Sequence, residues 1–292
     1  MSRWWRGSGR VVRAVVDDLV TTVCPSDCRA CGGPLLRADL SPVCDRCIEA
    51  VERQSMTLCG HCGEALDMEG VRFAAQFPVE GLLCSPCRMV PPEFERAVAY
   101  AVYEDELREM MHLLKYERMP SVARPLGRML ARTIETLEFE AGKDLVVVAV
   151  PLFPAKEWQR GYNQAVLIAD AAVEELRRSR PEWKLTSSHS AIERVKDTRS
   201  QFELTPKGRT RNLQGAFAVA NGSAVAGREV LLVDDIYTTG ATVRACSRVL
   251  LQAGASKVWV ATVSRAQPEM IAAWDAGFER SGKEAVAGSG GF

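Results

Sequence analysis

From Phe94 onward, short apolar runs alternate with segments whose apolar residues recur at helical spacing, and this alternation predicts a parallel α/β sheet with flanking helices. Strands are expected near 97–103, 145–150, 230–233 and 256–264. Helices are expected near 105–114, from Pro120 to about 138, and over 243–253, with a turn at 115–117. Val230 to Val233 form an unbroken apolar run, as expected of a central parallel strand covered on both faces. Before Phe94 no such alternation exists, and Pro91 and Pro92 mark the change. At the other extreme of the chain, Val11, Val12, Val15, Val16, Leu19 and Val20 fall on one face of an amphipathic helix. The organisation expected is a helix at 1–23, a cysteine-rich module at 24–92, an α/β domain at 93–265 and a partly disordered tail with a frayed helix at 266–292.

The 292 residues are 47% hydrophobic and 25% charged, enough to bury an ordinary core, and the net charge is zero. Bulk attraction to nucleic acid or membrane is therefore not implied, and any such binding must come from a local patch. No apolar stretch approaches the roughly 20 residues that span a bilayer. Asp17 and Asp18 interrupt what would be the apolar region of a secretory signal, so a cytoplasmic protein is expected.

Eight of the ten cysteines form four CxxC pairs, Cys28/Cys31, Cys44/Cys47, Cys59/Cys62 and Cys84/Cys87. A CxxC turn presents two thiolates to one ion, and two turns close a tetrahedral Cys₄ site with no open position for catalysis. Two structural Zn²⁺ sites in a double zinc ribbon follow. Pairing in sequence order is simplest, and spacing alone also allows interleaved pairing, an iron centre with the same ligands, or disulfides in an oxidising compartment. His61 reads as a neighbour of the thiolates rather than a ligand, and Cys24 and Cys246 as small hydrophobes.

After Val233 come Asp234 and Asp235, then Thr238, Thr239, Gly240, Ala241 and Thr242 leading into a helix. Ligands of open α/β sheets sit at the carboxyl ends of strands. Two carboxylates there can accept the hydrogen bonds of a vicinal diol, and a helix N-terminus with Thr hydroxyls suits a phosphate. The combination reads as a site for a phosphorylated ribose; an acidic turn with a Thr cap and no ligand is the bland alternative. A second loop, 151–163, follows the strand at 145–150 and holds Lys156 and Arg160, donors suited to a pyrophosphate or simply solvated charges. The stretch 194–217 carries six Lys or Arg against Asp197 and Glu203, and reads either as a hood over an anionic ligand or as a basic hairpin. No GxGxxG after a strand and no GxxxxGK[ST] loop is present, which disfavours dinucleotide and P-loop sites.

The segment VLLVDDIYTTGAT at 230–242 resembles the diphosphoribose-binding motif of type I phosphoribosyltransferases. Four CxxC pairs, then KYER at 115–118, VPLFPAKEWQRGYNQA at 150–165, the stretch 194–217 and VDDIYTTGAT at 233–242, taken in order, closely resemble the ComF family. The resemblance implies a type I phosphoribosyltransferase-like parallel sheet behind a double zinc ribbon, binding 5-phosphoribosyl diphosphate with Mg²⁺. It further implies that Asp234 and Asp235 hold the ribose hydroxyls, that Thr238 to Thr242 hold the 5′-phosphate, and that the protein takes part in DNA uptake during natural transformation. Phosphoribosyl transfer to a nitrogen acceptor is the leading expectation. A non-catalytic scaffold for single-stranded DNA or a helicase-like competence partner is the other, and a homodimer is compatible with either.

Overall fold

The computed structural model describes residues 26–35, 41–55, 57–66, 82–198 and 212–267. The helix expected at 1–23, Cys24, the middle of the basic stretch and nearly all of the tail lie outside the described residues. Two short helices, α1 (Asp45–Glu49) and α2 (Ser85–Met89), belong to the cysteine-rich part. They are followed by β1 (Arg96–Val102), α3 (Asp105–Tyr116), α4 (Ala123–Ile134), β2 (Asp144–Ala149), α5 (Pro154–Arg160), α6 (Gln164–Ser179) and β3 (Lys184–Ser187). A small hairpin of β4 (Ile192–Arg194) and β5 (Phe217–Val219) precedes β6 (Glu229–Tyr237), α7 (Ala241–Gln252) and β7 (Lys257–Arg265).

The main sheet has the order β1-β7-β6-β2-β3 with every pairing parallel. Because side chains alternate along a strand, each central strand feeds two cores. Val147, Leu231, Val233, Ala261 and Val263 face α3, α4 and α6 through Leu107, Leu126 and Ile168. Val146, Val148, Leu232, Val258 and Val260 face α7 and the β4–β5 hairpin through Cys246, Leu250, Ile192 and Phe217. Continuous apolar strands were the expected signature of such two-sided burial, and it is what β2 and β6 show.

The cysteine-rich segment straddles the β1 edge of this sheet. Cys28 and Cys47 pack into the first core with Tyr100 and Leu107, whereas Cys59, Cys62, Cys84 and Cys87 pack into the second with Phe94 and Ala97. Between them the chain runs along the free edge of β1. The Gln54 N–H donates to Tyr100 O at 3.0 Å, and the Ala97 N–H donates to His61 O at 2.7 Å. Edge strands left open invite pairing with other chains, and here the ribbon fills that position.

Several boundaries differ from the sequence expectation. Helix α3 continues through Lys115 and Tyr116 instead of turning there, and its apolar face of Leu107, Met110, Met111, Leu113 and Leu114 explains the extension. Strand β6 runs past the acidic pair to Tyr237, because β7 pairs with it as far as Arg265. Helix α7 starts at Ala241, two residues early. The basic loop after β2 folds into α5, with Pro154 in its first turn and Gly161 closing it at φ +91°. Neither α6 nor β3 has a counterpart among the expected elements, whereas β4 and β5 pair antiparallel at the two ends of the 194–217 stretch, for which a hairpin was one of the two readings. The strands are only three or four residues long; α6 does carry a signal, an Asn163 cap accepting from Ala165 N–H at 2.9 Å, followed by Ile168, Ala169, Ala172, Val173 and Leu176 on the buried face.

Helices α4 and α6 approach so closely at Gly127 that a Cβ there would lie 2.4 Å from Ala171 Cβ and 2.9 Å from its backbone. Gly→Ala inside a helix ordinarily stabilises by about 0.5–1 kcal/mol. At this site Gly127→Ala is expected to destabilise instead, by about 1–3 kcal/mol as overpacking does. Thermal unfolding reads the sign directly, and an unchanged or higher Tm would show that the two helices can part without cost.

Candidate phosphoribosyl site and Cys₄ clusters

At the carboxyl end of β6 the apolar run gives way to two buried carboxylates, Asp234 at 9% and Asp235 at 3% exposure. They share one environment but differ in partners. Asp234 Oδ1 accepts the Asp235 backbone N–H at 2.9 Å. Asp235 Oδ2 lies 2.6 Å from Lys115 Nζ, in the geometry of an ion pair rather than an aligned hydrogen bond. Lys115 reaches the site from the last turn of α3, so the extension of that helix places its ammonium there. Burial pushes the Lys115 ammonium down, but the charge of Asp235 more than offsets this and its pKa ends above the ordinary range. Burial, reinforced by the charge of Asp235, pushes the Asp234 carboxyl well above the usual carboxylate range. The opposite wall is Arg194, from β4. Its guanidinium carbon lies 5.5 Å from the Phe217 ring centroid, and burial draws its pKa down.

Beyond Tyr237 the chain turns through Thr238, Thr239 and Gly240 into α7. Gly240 adopts φ +76°, and a Cβ would fall 2.2 Å from Tyr237 Oη, so the turn requires glycine on both conformational and steric grounds. As N-cap it offers no side chain to the first turn of α7, where helical N–H groups lack intrahelical acceptors. Thr239 Oγ1 is buried without a partner. An orphaned hydroxyl beside a helix N-terminus is the arrangement a phosphate satisfies. Ala241 is buried at the start of α7, and Thr242 is half-buried beside it.

The second loop lies on the rim rather than at the carboxylates. Arg160 hydrogen-bonds Gln164 and stacks 5.9 Å from the Tyr116 ring centroid, next in sequence to Lys115. Lys156 Nζ donates to Thr198 O at 3.0 Å, where the basic stretch departs from β4. Tyr162 and Asn163 hold the loop in place: Tyr162 Oη donates to Leu114 O at 2.5 Å and Asn163 Nδ2 to Val150 O at 3.0 Å. Arg118, in a left-handed conformation at φ 55°, donates to Gln159 O at 2.7 Å.

The eight CxxC thiols gather as Cys28, Cys31, Cys44 and Cys47 in one cluster and Cys59, Cys62, Cys84 and Cys87 in another, which is pairing in sequence order. Sγ···Sγ separations of 3.9 Å for Cys28/Cys47, 3.8 Å for Cys31/Cys44 and 3.6 Å for Cys62/Cys84 match the tetrahedral edge of ~3.8 Å set by metal–sulfur bonds of ~2.3 Å. Contacts with Cys59 push the Cys84 and Cys87 thiols up, while Cys62 and its neighbours hold Cys59 down. Thiols this crowded compete for protons, and a divalent cation at their centre removes the competition. Each cluster can hold one metal ion. His61 Nδ1 contacts Glu95 O at 3.1 Å and joins neither cluster.

A parallel sheet with an acidic pair and a Thr-Thr-Gly loop at the end of a central strand, fronted by two Cys₄ clusters, defines a zinc-ribbon protein with a phosphoribosyltransferase-like domain. The family model described as "Phosphoribosyl transferase domain" matches residues 164–286. The chain is 32% identical over 238 residues to "DNA utilization protein YhgH" of Salmonella typhimurium, covering 81% of this chain and 95% of that protein. It is 29% identical over 243 residues to "Competence protein F" of Haemophilus influenzae, covering 82% and 96%. To "Competence protein ComFC" of Bacillus subtilis it is 25% identical over 228 residues, covering 75% and 82%. The chain belongs to the ComF family of competence proteins.

Two members of the site had no role assigned from sequence. Lys115 lies in the KYER motif, and Arg194 was counted only as part of a charge run; a lone cation among apolar neighbours near a helix end was the available signal for the first.

Two stability measurements probe these charges. With its native pKa raised above the ordinary 3.8, Asp234 binds its proton more tightly in the folded chain than in the unfolded one. It therefore stabilises most below the ordinary carboxylate range, and that contribution is lost as pH rises toward the raised value. Asp234→Asn should raise stability at pH 8 by about 1–2 kcal/mol and progressively less at pH 5 and below; equal gains at all pH values would show that Asp234 is ionised throughout. Lys115→Met should destabilise by about 3–5 kcal/mol by stranding Asp235, and adding Asp235→Asn should return most of the loss. Denaturant unfolding of the three variants reads this cycle, and additive losses would dissolve the pair.

Proposed function

We propose that the protein binds 5-phosphoribosyl diphosphate with Mg²⁺ and transfers its phosphoribosyl group to a nitrogen acceptor during the handling of incoming DNA. The observation that carries the reading is the buried Asp234–Asp235 pair next to the unpartnered Thr239 hydroxyl at the start of α7. In this reading Asp234 and Asp235 accept hydrogen bonds from the ribose diol and favour positive charge as it develops on the sugar ring. Thr238, Thr239, Gly240, Ala241 and Thr242 cradle the 5′-phosphate. Arg160, with Lys156, receives the pyrophosphate. The acceptor nitrogen forms a bond to C1 as the C1–O bond breaks, the electron pair leaves on pyrophosphate, and the acceptor's proton passes to solvent.

Mg²⁺, when bound with the ligand beside Asp234 and Asp235, would supply neutralisation of the diphosphate charge. Asp235 is already balanced by Lys115, which fits a cation that arrives with the diphosphate better than one held by the empty protein. Zinc is the ion assigned to both Cys₄ clusters, closed sites that stabilise the fold and do no chemistry. The curated relatives' names, "DNA utilization" and "Competence", connect the reading to DNA uptake.

A second reading, a non-catalytic scaffold for single-stranded DNA or a protein partner, is favoured by one feature. Trp158 on α5 is 87% exposed, two residues from Arg160, and an exposed aromatic among cations is a stacking platform for bases.

Isothermal titration with 5-phosphoribosyl diphosphate and Mg²⁺, on protein shown by metal analysis to carry two zinc ions per chain, separates the readings. Wild type should bind, and Asp234→Ala/Asp235→Ala should weaken binding at least about 100-fold, the loss expected when charged hydrogen-bond partners are removed. Absence of binding by folded wild type, together with salt-sensitive DNA binding that survives the double substitution, would replace the enzyme reading with the scaffold.

A further inference from the structure

The Cys₄ cluster of Cys59, Cys62, Cys84 and Cys87 touches the phosphate loop by two independent routes. The first starts at Arg265, the last residue of β7, which is 3% exposed. Its Nη1 donates to Cys62 O at 2.6 Å, while Nη2 lies 3.5 Å from Cys62 Sγ and 3.3 Å from Glu64 Oε2. The same guanidinium lies over the Tyr237 ring, 4.2 Å from its centroid, and Tyr237 Oη occupies the space a side chain at residue 240 would need. Phe94 makes an edge-on contact with that ring at 6.5 Å between centroids. Thus one buried cation links a metal ligand to the aromatic wall of the Thr-Thr-Gly turn.

The second route joins the other knuckle to the helix that the turn caps. Arg244, in the first turn of α7, donates to Val90 O at 3.1 Å, three residues after Cys87. One turn later Arg248 pairs with Glu93. One knuckle of this cluster is therefore fastened to the turn, through Tyr237, and the other to the helix whose N-terminus would bind phosphate. The Cys28/Cys31/Cys44/Cys47 cluster sits on the opposite face of the sheet, in a different core.

The energetics give the connection a direction. Four thiolates around a divalent ion carry a net charge of about −2, and a buried guanidinium is a fitting counter-ion for it. Without the ion nothing holds the four sulfurs together, and the Cys62 contacts that keep Arg265 between Cys62 and Tyr237 are no longer fixed. Arg265 Nε is buried without a hydrogen-bond partner, so its hydrogen bonds come from Nη1 and Nη2 alone and the Tyr237 ring supplies the remaining contact.

We propose that Arg265 is a positioning residue through which metal occupancy of the Cys59/Cys62/Cys84/Cys87 cluster sets the affinity of the 238–242 loop for its phosphorylated ligand. The inference rests on reading 238–242 as the phosphate loop. By linkage the coupling is reciprocal, so ligand must tighten the metal at that cluster by the factor the metal tightens the ligand.

The test is competition for zinc between the two-zinc protein and a chromophoric chelator, with and without saturating 5-phosphoribosyl diphosphate and Mg²⁺, alongside hydrogen exchange of the 238–242 amides. In wild type, ligand should raise the zinc affinity of one site and not the other, by about 10-fold, within the usual range of allosteric coupling. Arg265→Met should abolish that gain and speed exchange of the loop amides by a similar factor. Tyr237→Leu, which leaves every thiol and the Arg265 hydrogen bond to Cys62 O unsubstituted, should do the same and decides the matter if Arg265→Met loses zinc. Ligand binding that leaves both zinc affinities unmoved, or a full gain in Tyr237→Leu, overturns the proposal. If wild type binds no 5-phosphoribosyl diphosphate, the ligand reading falls by itself. The coupling is then decided by loop exchange on zinc removal: faster exchange sustains it and unchanged exchange ends it.

Discussion

Two adjacent carboxylates buried at the end of a central strand are the constraint around which the rest of this molecule is arranged. Isolated charges in such a place cost several kcal/mol each even after relaxation, so the fold must bring compensation from elsewhere. It does so from opposite sides: Lys115 on α3 pairs with Asp235, and Arg194 on β4 adds a cation near Asp234. The length of α3 therefore matters chemically, because stopping at Leu114 would have withdrawn the ammonium. Asp234 is left incompletely compensated, its carboxyl pushed upward by burial. An uncompensated acid in a stable core is a cost that folding alone would not retain, which is why the pair points to ligand binding.

The cysteine-rich segment answers a different constraint. Its described pieces are too short to enclose a core, and helices α1 and α2 have five residues each. Metal-capable clusters can supply the missing folding energy, but here each cluster also joins one of the two cores of the sheet, and the chain between them runs along β1. The ribbon is in effect a clip over the sheet edge. Contacts cross the change of pattern at Pro91 and Pro92, among them the hydrogen bond from Arg265 Nη1 to Cys62 O at 2.6 Å.

What could be read from the chain followed from strong local signals. Unbroken apolar runs at β2 and β6 announced a two-sided parallel sheet, four CxxC pairs announced two clusters, and the acidic pair before Thr-Thr-Gly announced a loop at a helix start. The short strand β3 was illegible, and β4 and β5 were legible only as one of two readings, because they offer three or four residues each, less than periodicity needs. The segment after β2 misled in another way: Lys156 and Arg160 looked like free loop donors, yet α5 forms across them, and they hold Thr198 and Gln164. Contacts between distant residues, Lys115 with Asp235 and Arg265 with Cys62, leave no trace in local pattern at all.

That last class of contact bears on how the site would work under the phosphoribosyl reading. With Lys115 already in place, the carboxylates do not await a cation; a ribose diol must compete with an ammonium 2.6 Å from Asp235. Such competition lowers affinity for bare sugars, since hydroxyls exchange for an ion pair at no gain. A ligand that brings its own phosphate to the Thr239 hydroxyl and its own diphosphate to the rim cations gains interactions that the empty protein leaves unmade. Selectivity for a doubly phosphorylated ribose over ribose 5-phosphate would then arise from the resting ion pair as much as from the donors that greet the ligand, and the left-handed Arg118 that ends the α3 segment, at φ 55°, fits a chain held in a costly conformation to keep Lys115 and its neighbours where they are.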